Sequence, residues 1–489
     1  MCSLPLLPLS LLLALGLALS ARADDDNLAG APSGPWRRLF LDDAHVARQS
    51  GLQRVFHPAR KHPGNPIVRK TEPWEGFGPY VHGTVFRDGE RLRMWYFIYS
   101  GRYMTAYAES SDGLTWVKPK LGLCEFKGSK DNNLILADEK VTALALNLSV
   151  VKRPWVSDPA CRYIAFFNSL APGPLRQASA LSPDGIHWTI SQDALKGFSS
   201  GDEMRVFCDP YERRYVATCK CDKARRGRAV RVATSADGLT WQKLNAGEPV
   251  VYSLETGKQA HQIYNMAVFP YQGRYVGLPN TYHAGWPDHD PPVKDGELAE
   301  GEKDTPTTGE IEIAWSRDLT TWQRPPGAGQ CPFIPLGPSG AFDCGMVMGV
   351  ANAPVVMGDE LWFYYGGWDG PHRSTTRNAA IGLATLRLDG FASLAADAEG
   401  WLITPPESFT QPGVTINAKV HPGGQIVAEL LDEDERPVPG FDRSQCQPFT
   451  GDSVRHQLTW RDAQRLPPDA RLKLRFSLRK AELYSYMPP

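Results

Sequence analysis

Long apolar runs are missing from this chain after residue 19, and so is any extended stretch with the three-to-four spacing of an amphipathic helix. The first absence leaves no later segment able to span a bilayer as a helix. The second leaves strands as the material of the fold. An excess of charge of either sign is also missing. Lys and Arg total 53 against 54 Asp and Glu, a formal net charge of −1, so nothing general draws the chain to nucleic acid or to an anionic membrane. A zinc-type cysteine spacing is absent as well. Cys219 and Cys221 flank a single residue in a strand-like run, which sends both to one face near Cys208, and this reads as buried thiols or one bridge and not a metal site. No metal and no cofactor is expected.

The apolar run that does exist, residues 4–19, is short for a membrane span and is followed by Ala21-Arg22-Ala23 and three aspartates. It reads as a secretory signal peptide covering residues 1–23, without the usual leading Lys or Arg, and it predicts a secreted or periplasmic protein. Cys2 leaves with it. The eight cysteines that remain permit disulfides, with a pairing that spacing does not determine.

What is abundant is repetition. Ser110-Ser111-Asp112-Gly113-Leu114-Thr115-Trp116 returns as Ser182-Pro183-Asp184-Gly185-Ile186-His187-Trp188 and as Ser235-Ala236-Asp237-Gly238-Leu239-Thr240-Trp241. A weaker fourth copy is Ser316-Arg317-Asp318-Leu319-Thr320-Thr321-Trp322. Each follows an alternating apolar run, and Asp-Gly between two such runs marks a tight turn. Gly supplies positive φ, the Asp carboxylate accepts from nearby backbone N–H groups, and the Trp suits a wedge between neighbouring units. These Asp residues are therefore expected to hold turns and not to catalyse. Leu319 replaces Gly in the fourth copy, so that turn is expected to differ. The phrase resembles the Asp-box of sialidase-type propellers, with one residue fewer between Asp and Gly.

A hairpin precedes each phrase, and Ala353 to Leu386 supplies a fifth unit of the same kind. Five such units predict an all-β chain with a five-bladed β-propeller over roughly residues 36–395. The run Trp36 to Leu41 is the expected closing strand of blade five. Residues 400–489 alternate at period two between polar turns and predict a C-terminal β-sandwich.

In a propeller, side chains just before each inner strand converge on the axis, so these positions are the candidates for chemistry. They include Glu75, Tyr80 and His82; Asn147; Asp202, Glu203 and Arg205; His261, Gln262, Tyr264 and Asn265; and Asp343, with Asn352 further along its strand. Carboxylates, imidazoles, amides and an Arg aimed at one cavity suit a polyhydroxylated substrate. Glycosidic cleavage needs two carboxyl groups, one to protonate the leaving oxygen and one as nucleophile or base. Asp202 and Asp343, each near glycine, are the favoured pair, with Glu203 and Glu75 in reserve. His82, Asn147, Arg205, Tyr264 and Asn265 are the expected substrate contacts. His283, Trp286, Trp368 and His372 are expected on the rim. The acidic, Pro-rich stretch 287–308 reads as a lid or a flexible insertion. The basic stretch Lys223 to Arg231 reads either as a solvated hairpin tip or as a site for an anionic or sulfated ligand.

Phe40-Leu41-Asp42-Asp43, Met94-Trp95-Tyr96, Ala108-Glu109 leading into the first repeat, Gly128 to Asn133, and Tyr364-Tyr365-Gly366-Gly367 resemble elements of secreted bacterial propellers of the glycoside hydrolase family 32/43 superfamily. The resemblance covers most of the chain. It implies a furanosidase-type fold with three acidic residues around a central cavity. The family 32 opening Trp-Met-Asn-Asp-Pro-Asn-Gly and its Glu-Cys are absent, so the resemblance transfers the fold and not the catalytic roles. The expectation is an exported glycoside hydrolase with a carbohydrate substrate. A non-catalytic carbohydrate-binding propeller is the alternative. A third reading is a sialidase-like enzyme, which requires an Arg cluster at the axis.

Overall fold

The computed structural model describes residues 27–489 apart from 136–143, 170–175, 192–194, 198–199, 225–226, 253, 257–258, 284–292, 295–296, 299–306, 328–330, 373, 462, 464 and 467–469. The expected signal peptide, Trp286 and most of the 287–308 stretch lie outside the described residues.

Five antiparallel sheets form a ring; the first four run outward in sequence order, and blade five ends on an earlier strand. Blade one runs Val85–Asp88, Arg91–Tyr99, Tyr103–Ser110, Leu134–Ile135; blade two, Leu144–Lys152, Tyr163–Ser169, Arg176–Ser182, Thr189–Ile190. Blade three runs Met204–Asp209, Arg214–Ala224, Gly227–Ser235, Gln242–Lys243; blade four is built on Gln259–Tyr271, Arg274–His283, Ala314–Ser316 and Trp322–Gln323. Blade five has Met346–Val350 and Val355–Met357 on its inner side, then Glu360–Trp368 and Ala379–Arg387.

The closing strand of blade five is not the one expected. Arg60–Lys61 pairs with Thr385 and Ala384, while Arg38–Leu39 pairs with Tyr486 and Ser485 in the C-terminal sheet. The Trp36–Leu41 run is the more apolar of the two, and the sandwich core takes its Phe40. The propeller edge needs only a short backbone ladder, which polar residues supply at the surface.

Hydrogen bonds between blades tie neighbours together. Val150 N donates to Thr84 Oγ1 (2.8 Å), Val206 N to Ser149 Oγ (3.0 Å), and Asn280 Nδ2 to Val347 O (2.9 Å). Asn352 N donates to Gly83 O (3.1 Å), which joins blade five back to blade one.

The repeated phrase holds its turn as expected. Asp112 Oδ1 accepts from Leu114 N (2.8 Å) and Thr115 N (2.7 Å), and Trp116 Nε1 donates to Gly113 O (3.1 Å). Each turn docks on the preceding blade: Tyr364 OH of blade five donates to Gly113 O, and Trp95 Nε1 of blade one to Gly185 O. The fourth copy keeps the same turn, contrary to expectation. Leu319 adopts φ +66°, and Asp318 Oδ1 still accepts from Thr320 N and Thr321 N. The left-handed backbone costs Leu about 1–2 kcal/mol, and full burial of its side chain beside Phe207 and Val216 returns a similar amount.

These turns make stability depend on acid. The amide of Thr115 leads the shift of the Asp112 carboxyl down to about 2. At Asp184 and Asp318 burial pushes upward, but the amide bonds together outweigh it, again reaching about 2. A depressed folded-state pKa contributes stability that is complete above the unfolded value, about 4, and is lost as pH falls through 2. The triple variant Asp112→Asn, Asp184→Asn, Asp318→Asn should therefore be less stable at pH 7 and lose less on acidification. Melting curves from pH 5 to pH 2 test this, and equal slopes for both proteins would refute it.

The C-terminal part forms the sandwich. Ala392–Ile403, Val414–Leu431 and Ala470–Met487 are long strands, bulged at Ala396/Glu399, at Val420/Gln425 and opposite these near Lys480. Bulges at one level let each strand turn from one layer into the other, and residues from both halves (Leu394 and Leu402, Ile416 and Ile426, Leu483 and Phe476) share one core. The sequence suggests separate strands at 414–417 and 425–430; they are one bent strand. Trp460 is buried here and donates to Ala428 O (3.0 Å), a packing role. All eight described cysteines are free thiols, and burial raises the Cys219 thiol to about 12. Among the described residues no helix is long and apolar enough to cross a membrane, and no group of three or more His, Cys, Asp or Glu is placed to hold a metal ion.

Candidate functional site

Strand alternation sends Glu203 and Arg205 to the same side of blade three's inner strand. There they meet His82 of blade one, with His82 Nε2 3.3 Å from Glu203 Oε1. Blade five reaches the same point through Gly349. A Cβ placed on that residue would stand 2.9 Å from both Arg205 Nη2 and His82 Cδ2. Asn352 of blade five accepts from Arg205 Nη1 (3.2 Å) and donates to Val206 O (3.3 Å). Three blades thus converge at the axis. His82, Glu203, Arg205 and Asn265 are each buried. Among the described residues, Arg205 Nε and Nη2 and both polar side-chain atoms of Asn265 find no hydrogen-bond partner.

Above this point lies an aromatic layer. Tyr80 stands edge-on to Trp368 (5.5 Å between centroids), Tyr264 contacts Tyr282 (5.5 Å), and His372 Nε2 is 3.2 Å from Tyr264 OH. Cations sit on these rings. Lys220 Nζ is 4.6 Å from the Tyr264 centroid, Arg228 5.1 Å from Tyr282, and Arg377 4.0 Å from Trp368. Such contacts hold long cationic side chains in fixed positions. Lys220 also forms an ion pair with Asp202, whose side chain is half exposed. Asp202 is therefore at the mouth, and Glu203 is on the floor.

Burial, then the fields of Arg205 and Lys220, push the His82 pKa well below the usual imidazole range. Burial followed by Arg377, Arg228 and Lys220 takes His372 down to about 4. Both rings are neutral at pH 7. Burial lowers Arg205 to about 10, still protonated, and raises the Tyr80 and Tyr264 hydroxyls well above 10.

Other candidates lie elsewhere. Asp343 forms an ion pair with Lys61 and accepts from Tyr365 OH (2.8 Å), a separate cluster on the blade that Lys61 helps to close. His283 sits 3.5 Å from Glu310 within blade four's own sheet. Glu75 is fully buried and fully used. It accepts from Tyr96 OH (2.9 Å), Thr71 N (2.8 Å) and Glu72 N (3.0 Å) and pairs with Lys118 (2.6 Å). The backbone of Asn147 lies in blade two's inner strand; its side chain, like that of His261, lies outside the described ones. Sequence reasoning passed over Lys220 and Arg377, and it weighed Arg228 only as part of a basic tip. Alternation from Thr218, whose hydroxyl reaches Met266 O (2.6 Å) on the next blade, was the one available signal for Lys220.

Gly349 is held at φ +81°, where a side chain is both strained and pressed against Arg205 and His82. Gly349→Ala is expected to lower ligand binding or turnover at least tenfold and to cost about 1–3 kcal/mol of stability. Titration and urea unfolding of the same protein check it, and normal binding would show that the three-blade contact has slack.

No family profile matches the chain. A 97-residue stretch, 19% of the chain, is 33% identical to uncharacterized protein Rv1502 of Mycobacterium tuberculosis, and the chain spans about a third of that relative's length (32%). Among solved structures, a glycoside hydrolase described as such for Parabacteroides distasonis aligns at 15% identity over 68% of this chain and 98% of its own, with a TM-score of 0.46. A glycosyl hydrolase from Bacteroides ovatus aligns at 14% over 68% and 94%, TM-score 0.45. An N-acetylgalactosamine deacetylase from F. plautii aligns at 14% over 70% and 97%, TM-score 0.43.

Proposed function

We propose that this chain is an exported carbohydrate-active hydrolase that cleaves a glycosidic bond at the propeller axis, with Glu203 and Asp202 as its carboxylate pair. One observation carries the reading: an acid and a guanidinium from one blade, a neutral imidazole from a second and an amide from a third meet at one point beside a layer of aromatic rings. Glycosidic cleavage asks for two carboxyl groups near the scissile bond, and aromatic faces suit the apolar faces of sugar rings. Glu203, beside neutral His82, is placed to exchange a proton with the sugar oxygen. Asp202, at the mouth beside Lys220, is the nucleophile or base. The apolar leader supports export.

The test is a screen of the protein against plant and algal polysaccharides with product analysis, run with Glu203→Gln and Asp202→Asn. Wild-type protein should release oligosaccharide, and both variants should release none. Asp343→Asn should alter stability more than turnover, because its partners are Lys61 and Tyr365. Binding on a glycan array with no product over long incubation would favour the non-catalytic alternative.

A further inference from the structure

We infer that the sugar held at the axis is acidic, with its carboxylate recognised by the unpartnered Nε–Nη2 edge of Arg205. This rests on reading the axial cluster as a carbohydrate site and adds the class of sugar.

Among the described residues, Arg205, Lys220, Arg228 and Arg377 gather around the site together with Asp202 and Glu203, and His82 and His372 are neutral.

Arg205 then specifies the shape of the anion. Its Nη1 is occupied by Val350 O (3.3 Å) and Asn352 Oδ1 (3.2 Å). Its Nε and Nη2 have no partner among the described residues although the residue is only 2% exposed. Those two N–H groups form one flat edge of the guanidinium, and a planar carboxylate fits such an edge with two parallel bonds. Leaving buried donors unmet is costly. Gly349 packs closely against Nη2, and a Cβ there would stand 2.9 Å from it. Asn265 offers a further unused donor and acceptor, the complement of ring hydroxyls. Arg228 belongs to the basic stretch that the sequence left open between a solvated tip and an anion site. It is folded inward, bonded to Gln262 Oε1 (2.9 Å) and lying over Tyr282. A uronic acid supplies a planar carboxylate; a sulfate ester supplies the same sign of charge in a tetrahedral group.

The test reads binding, not turnover. Oligosaccharides from partly hydrolysed plant and algal polysaccharides are passed over immobilised full-length protein in three forms: native, carboxyl-reduced and desulfated. Retention of native acidic oligosaccharides should exceed that of the carboxyl-reduced form by about tenfold or more, and desulfation should leave it unchanged. Arg205→Lys keeps the charge but loses the fork, and should abolish the preference with an unaltered circular dichroism spectrum. Arg228→Gln, nearer the rim, should weaken retention and its dependence on salt. Equal retention of the carboxyl-reduced form, loss on desulfation, or no retention at all overturns the inference. Acidic oligosaccharides bound but never cut would leave it standing and sink the hydrolase reading; cleavage of neutral glycans alone would do the reverse.

Discussion

Glu203→Gln should cut kcat/KM by about 10³-fold, within the range that a positioned proton-transfer group contributes, while leaving the melting temperature near that of wild type. The amide keeps the volume and the contact with His82, whose Nε2 lies 3.3 Å from the native carboxylate. What it loses is the capacity to take up and release a proton. His82 cannot substitute, because its pKa is driven far down by burial. Steady-state kinetics on the substrate found by screening gives the number, and Glu203→Asp should recover part of the loss. A Gln variant that turns over like wild type would remove Glu203 from the chemistry.

Asp389→Ala is the substitution with the largest expected effect on stability. Asp389 is buried with φ +58°, and it joins three parts of the molecule. Arg37 from the N-terminal segment donates to it (2.7 Å), Tyr271 of blade four donates (2.6 Å), and Ser485 of the last strand donates (2.7 Å). Removing the carboxylate strands a largely buried guanidinium and two hydroxyls, and breaking a buried pair in this way costs about 3–5 kcal/mol. Asp389→Asn tolerates the left-handed backbone and keeps an acceptor, so it should cost roughly half as much. Urea unfolding at pH 7 compares the two. A loss under about 1 kcal/mol for the Ala variant would mean that solvent reaches Arg37 and repairs the damage.

Legibility in the sequence followed the range of the interactions. The Asp-Gly-x-x-Trp turns were readable because their bonds close within three residues, as from Asp112 to Thr115. The blade count followed from them. Leu319 misled because local rules assign positive φ to Gly, whereas burial in the neighbouring blade decides it. Arg60–Lys61 carried no strand pattern at all; two polar residues become a strand only because blade five offers an open edge. At the axis, position before an inner strand located His82, Glu203, Arg205 and Asn265. It also nominated Glu75, since nothing local reveals that Lys118 and Tyr96 will consume its carboxylate. Lys220 and Arg377 come from outer parts of their blades, so no rule about inner strands could find them.

The pairing of Arg60–Lys61 with blade five and of Arg38–Leu39 with the final strand has a bearing on biosynthesis. A ribosome delivers both N-terminal strands long before it delivers their partners: Arg60–Lys61 waits for Thr385, and Arg38–Leu39 waits for Tyr486 near the end of the 489-residue chain. Such long-range closure slows folding. A chain that stays incomplete while it is made stays unfolded through most of its synthesis, which suits the export proposed for it.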